Sequence, residues 1–69
     1  MAFDYKKDEQ NIVTITMDME GHSANVINAE FLPLMSEALD KIQTDIPVTG
    51  VVLTSAKKTF LAGGDLEWI

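Results

Sequence analysis

Residues 60–69 read FLAGGDLEWI, which places two adjacent glycines and a carboxylate directly after a strand-like apolar stretch. Asp65 suits the N-cap of a helix opening at Leu66, and Glu67 stands where the helix dipole favours negative charge. A strand-to-helix turn of this kind points unpaired backbone N–H groups outward, and such groups bind an anion or an oxygen that becomes anionic during reaction. The phosphate-binding patterns that use the same principle are absent: there is no Gly-Lys-Ser/Thr and no G-x-G-x-x-G. Asp65 would also repel a pyrophosphate on its own side of the turn. The ligand that fits is a neutral carbonyl that gains charge only as it reacts, with the Asp65 side chain turned back onto the helix. Without chemistry, the same residues are a plain turn.

Few other side chains could act. His22 is the only histidine, and in a polar loop with no second ligand it reads as a solvated residue and not a metal ligand. Lys57 and Lys58 form either a solvated turn or a contact for phosphate. Met17, Met19 and Met35 fall at strand, strand-end and helix-face positions and read as core filler. Trp68 reads as packing for the first turn of the second helix.

The bulk composition narrows the partners. Eleven acidic residues face five basic ones, all lysine, for a net charge of −6. Such a surface repels nucleic acid, and without arginine there is no bidentate fork for phosphate or carboxylate. The absence of cysteine excludes disulfides and thiolate metal sites and fits a reducing compartment. No stretch approaches the ~20 apolar residues of a membrane span, and the first residues carry no apolar leader, so a cytoplasmic location is expected. At 69 residues the chain is one small unit, of a size whose core supplies only ~3–5 kcal/mol.

The elements that must position the glycine turn are legible from periodicity. Phe3 and Tyr5 alternate with Asp4 and Lys6; after KDEQN, Val13, Ile15 and Met17 share one face, which predicts an antiparallel hairpin. Residues 19–28, MEGHSANVIN, lose the alternation and read as a loop. Phe31, Leu34, Met35, Ala38, Leu39 and Ile42 then form one helical stripe, with Asn28 as the expected N-cap and an outer-face Glu37–Lys41 pair. Pro33 lies one position too deep for an undistorted helix start, and the helix is expected to end near Asp45, before Ile46-Pro47. VVLTS at 51–55 suits a strand buried on both faces. The order is ββαβ with the helix as crossover, an α/β class.

Two of these segments together, SANVIN before the helix and FLAGGDL after the last strand, resemble the N-terminal part of the crotonase family, also called the enoyl-CoA hydratase/isomerase family. Its pattern is close to Asn-Ala-Leu-Asn followed by Phe-x-Ala-Gly-x-Asp-Leu/Ile, standing here as Asn25-Val26-Ile27-Asn28 and Phe60-Leu61-Ala62-Gly63-Gly64-Asp65-Leu66. Within the family, TMDMEGHSANVINAEF and FLAGGDLEWI look most like the hydratase end of the multifunctional α-subunits of bacterial fatty-acid oxidation, which also carry a 3-hydroxyacyl-CoA dehydrogenase. The resemblance implies that residues 1–69 are a truncated N-terminal ββαβ portion of a crotonase-like acyl-CoA-binding domain. It implies an oxyanion-hole donor at the Gly64 N–H, with Ala24, Val26, Ala62, Gly63, Asp65 and Leu66 along the acyl-CoA. The substrate would be an acyl-CoA thioester, and hydration of a trans-2-enoyl-CoA the parent activity; isomerase, decarboxylase or thioesterase chemistry shares the scaffold. Coenzyme A enters only as part of the substrate, no cofactor is expected in this segment, and NAD would belong to a separate dehydrogenase domain. A homo-oligomer is expected, with a thiolase subunit as a partner of the full complex. The family's second oxyanion donor and both hydratase glutamates come from later segments, so the chain alone is expected to be inactive. A non-enzymatic acidic interaction module is the alternative from another class.

Overall fold

The computed structural model describes residues 3–63, and within them the order is β1 (Asp4–Lys7), β2 (Ile12–Met17), α1 (Phe31–Thr44) and β3 (Gly50–Ser55). The expectations for Gly64, Asp65, Leu66, Glu67 and Trp68 lie outside the described residues. The three strands form one sheet in the order β1-β2-β3, antiparallel between β1 and β2 and parallel between β2 and β3. This is the expected ββαβ unit, with α1 as the crossover between the parallel pair.

The hairpin forms because its connection satisfies its own backbone. The Asp8 carboxylate accepts from the N–H groups of Gln10 and Ile12, at 2.8 and 3.0 Å. Asn11 takes the positive φ of 65° that closes the turn, a conformation asparagine tolerates better than most residues. Register then decides faces. Tyr5 pairs with Ile15 and Ile15 with Leu53, while Lys7 pairs with Val13 and Val13 with Val51. Side chains at paired positions share a face, so Phe3, Tyr5, Val13, Ile15 and Met17 all point to the helix side. Phe3, Val13, Ile15, Met17, Met19 and Ala38 are the buried core, with Phe31, Leu34, Met35 and Ile42 packed against it. The Phe3 and Phe31 rings meet edge to face at 5.9 Å.

Three details differ from the sequence reading. The helix starts at Phe31, so Pro33 is its third residue, where the missing N–H has no intrahelical acceptor in any case. Asn28 does cap, but from outside: its Oδ1 accepts from the N–H groups of Glu30 and Phe31, at 3.0 and 3.1 Å, while Glu30 takes the formal N-cap position with no side-chain bond. Leu39, expected in the stripe, is 49% exposed at its margin.

The strand β3 has a pattern that suits burial on both faces of a complete domain; in this ββαβ portion it is open, as expected of a truncated unit, with Val51, Val52 and Leu53 49, 48 and 39% exposed. Among the described residues β3 is the sheet edge, and α1 is anchored over β1 and β2. That anchor is a polar clasp at the helix end. Tyr5 Oη donates to Asp45 Oδ2 and Lys7 Nζ to Asp45 Oδ1, each at 2.7 Å, and Lys41 Nζ lies 4.5 Å from the Tyr5 ring centroid.

Candidate functional site

The candidate site is where the two motif segments meet. Ala62 N–H donates to Asn25 C=O at 2.8 Å, and Ile27 N–H donates to Gly63 C=O at 3.2 Å. These bonds run in opposite senses, so residues 25–27 and 62–63 lie side by side like a short two-stranded ladder, 35 or more residues apart in sequence. Of the proposed site residues, Ala24, Val26, Ala62 and Gly63 fall on this ladder or beside it. Ala62 and Gly63 are exposed, and Ala24 is partly so. Val26 faces inward: its side chain packs on the core and its N–H donates to Met19 Sδ at 3.3 Å, so that N–H is already engaged.

Gly63 has φ of +64°, the left-handed region, and an added Cβ would meet no atom within 4 Å. Glycine is therefore required here by backbone conformation and not by crowding. Phe60, three residues before this glycine, is exposed.

The loop is held from below by a residue to which the sequence reading gave no role. Asn25 is fully buried. Its Oδ1 accepts from Met19 N–H at 3.0 Å; its Nδ2 donates to Met17 C=O at 3.0 Å and to Ser55 Oγ at 2.8 Å. The amide orientation is fixed by its partners, since a backbone N–H can face only the oxygen and a carbonyl only the NH2. Ser55 Oγ accepts a second bond from Lys57 N–H at 2.9 Å, and Ala56 N–H donates to Met17 C=O at 3.0 Å. The sequence marked Asn25 only as part of the Asn25-Val26-Ile27-Asn28 motif; its burial follows from the loop folding back under Met17 and Met19.

Two charged or titratable side chains near the site have partners of their own. Lys57 Nζ is 2.7 Å from Asp18 Oδ1 with its side chain largely covered, an ion pair that neither of the two expectations for it, a solvated turn or a phosphate contact, included. His22 is half-buried; its N–H donates to Met19 C=O and its Nε2 is 3.5 Å from Glu30 Oε2, a contact too exposed to contribute much. Among the described residues no group of His, Cys, Asp or Glu could hold a metal ion, and no helix is long and apolar enough to cross a membrane.

This geometry is that of the crotonase fold. A solved structure from a dehydratase/decarboxylase enzyme couple of polyketide β-branching superposes on 97% of this chain and 29% of its own, with a TM-score of 0.80 at 22% identity. A crystal structure assigned as an enoyl-CoA hydratase/isomerase from Acinetobacter baumannii covers the same shares with a TM-score of 0.70 at 24% identity.

The sequence carries the assignment from fold to family. The family model for enoyl-CoA hydratase/isomerase matches residues 7–69, and the chain belongs to that family. The fatty acid oxidation complex subunit alpha of Shewanella oneidensis MR-1 is 40% identical over 69 residues, and that of Shewanella baltica OS185 is 37% identical. Each alignment covers 99% of this chain and 10% of the relative, so the chain spans about a tenth of the length of the curated relatives it matches.

Proposed function

We propose that residues 1–69 form the N-terminal segment of a crotonase-like acyl-CoA-binding domain in an enzyme of fatty-acid oxidation. The parent reaction is addition of water to a trans-2-enoyl-CoA to give a 3-hydroxyacyl-CoA. The observation that carries this reading is the pairing of residues 25–27 with residues 62–63 by two backbone hydrogen bonds. It brings both halves of the family pattern into one place at the C-terminal end of a parallel strand pair.

In this reading the Gly64 N–H donates to the thioester oxygen. That oxygen is nearly neutral in the substrate and becomes an enolate oxygen when water adds to the double bond, so a fixed N–H stabilises the transition state more than the ground state. Ala62 and Gly63 line the thioester, and Ala24 and Val26 offer carbonyls along the nucleotide and pantetheine side. Asp65 and Leu66 complete the acyl-CoA-binding set of this reading. A second N–H donor and two glutamates, one to activate water and one to deliver a proton to carbon, come from other parts of the family fold. The chain alone is therefore inactive. A 3-hydroxyacyl-CoA dehydrogenase domain using NAD, a thiolase partner, a homo-oligomeric state and a cytoplasmic location belong to the same reading of the whole enzyme.

The test is a chimera in which residues 1–69 replace the matching segment of the Shewanella oneidensis α-subunit. The chimera hydrates crotonyl-CoA, while the 69-residue chain gives only the buffer rate. A folded chimera that binds but does not hydrate crotonyl-CoA, or turnover that copurifies with the isolated chain, contradicts the proposal.

A further inference from the structure

We infer that Asn25 and Ser55 act together as the positioning pair of the acyl-CoA site, setting the height and register of the Ala62-Gly63 segment against the loop at 24–27. The inference rests on the proposed acyl-CoA function and adds the Asn25 side chain and Ser55, which that reading does not use.

Three chain segments have to be fixed relative to one another for a backbone donor after Gly63 to be placed. They are the end of β2, the end of β3 and the segment at 62–63. The Asn25 side chain joins the first two, through Met17 C=O and Met19 N–H on one side and Ser55 Oγ on the other. Its own backbone C=O holds the third by accepting from Ala62 N–H. One fully buried residue therefore links all three, with both Nδ2 protons and the Oδ1 engaged. Ser55 is the fixed end of this link. Its Oγ accepts from Asn25 Nδ2 and from Lys57 N–H, so both lone pairs are used, and the turn after β3 is tied to the same atom that holds the loop after β2.

The chemistry of the pair makes sharp demands. Removing the Ser55 hydroxyl leaves a buried N–H of Asn25 and the N–H of Lys57 without acceptors, a larger loss than one neutral hydrogen bond. Threonine keeps the acceptor. Asn25→Asp keeps the oxygen facing Met19 N–H but turns a carboxylate oxygen onto Met17 C=O, where only a donor fits. Protonation of that buried acid restores a donor, so this variant recovers as pH falls, in the sense opposite to ordinary acid unfolding.

Amide hydrogen exchange of the 69-residue chain reads the positioning directly. In Ser55→Ala, the Ala62 and Ile27 amides exchange about tenfold faster or more relative to the Ile15 amide inside β2, and Ser55→Thr restores most of the protection. Unchanged protection at Ala62 and Ile27 overturns the inference, and so does equal acceleration of Ile15, which would make the pair ordinary core. In the active chimera, Ser55→Ala lowers kcat for crotonyl-CoA about tenfold and Ser55→Thr recovers it; equal kcat in all three also overturns it. A wild-type chimera without activity is a distinct result: it removes the functional reading, and the pair is then judged on amide exchange alone.

Discussion

At the residue scale the site depends on what single backbone positions can adopt. Gly63 sits at φ +64° with open space where a side chain would go, so Gly63→Ala tests conformation without a steric clash. The left-handed region costs an L-residue ~1–2 kcal/mol, and Gly63→Ala should lower unfolding stability by about 1 kcal/mol, measured by urea titration. A neutral result would mean that the chain after Ala62 relaxes freely and does not hold residue 64 in place. The glycine pair and the Asn25 motif were legible in the sequence because both are unusual residue types in fixed order. What the sequence did not disclose is how Asn25 is used. An asparagine in a run of Gly, His and Ser reads as solvent-facing, and only the fold-back of the loop under Met17 and Met19 makes it a buried amide with three partners. The same holds for Met19, read as filler, whose sulfur also accepts from Val26 N–H.

At the element scale, period-2 and period-3.6 patterns announced β1, β2 and α1, since each buries one face. For β3, position in the sheet and not local pattern sets exposure: VVLTS reads the same at an edge as at the centre of a sheet, and its open edge follows from the unit's being a portion of a larger sheet. The clasp that ties α1 to β1 was also hidden, because Tyr5, Lys7 and Asp45 are some forty residues apart and only register brings them together. Its pH behaviour is predictable in sign. The Lys7 ammonium, and then the Tyr5 hydroxyl, hold the Asp45 carboxyl below its usual range. That contribution is complete above the unfolded carboxylate pKa and is lost as pH falls through the lower folded value. Desolvation, and then the bond to Asp45, push the Tyr5 phenol up to about 12. That contribution is complete below the ordinary value of 10.0 and is lost as pH rises toward 12. Thermal unfolding across pH should show a plateau that falls on both flanks. Asp45→Asn should flatten the acid flank and bring the Tyr5 ultraviolet titration back toward its ordinary midpoint. A Tyr5 titration unchanged by Asp45→Asn would contradict the clasp.

At the scale of the whole molecule, β3 is the sheet edge among the described residues, with Val51, Val52 and Leu53 49, 48 and 39% exposed and Leu39 and Phe60 also exposed. Such an edge is a template for strand pairing, and burial of apolar area contributes roughly 25 cal/mol per Å². The 69-residue chain should therefore be a dimer or larger by light scattering coupled to size exclusion, and Val52→Lys should shift it toward monomer. A compact, cooperatively unfolding monomer at micromolar concentration would show that the edge needs no partner. The central claim is narrower: that the backbone N–H of Gly64 meets the charge that develops on a thioester oxygen. Its most direct test is kcat for crotonyl-CoA hydration by the chimera carrying Gly64→Pro beside Gly64→Ala. Proline removes the N–H and alanine keeps it, so the account predicts a loss of ~10²–10³ in kcat for Gly64→Pro with little change in crotonyl-CoA affinity, and a much smaller loss for Gly64→Ala. Equal kcat for wild type, Gly64→Pro and Gly64→Ala would contradict it.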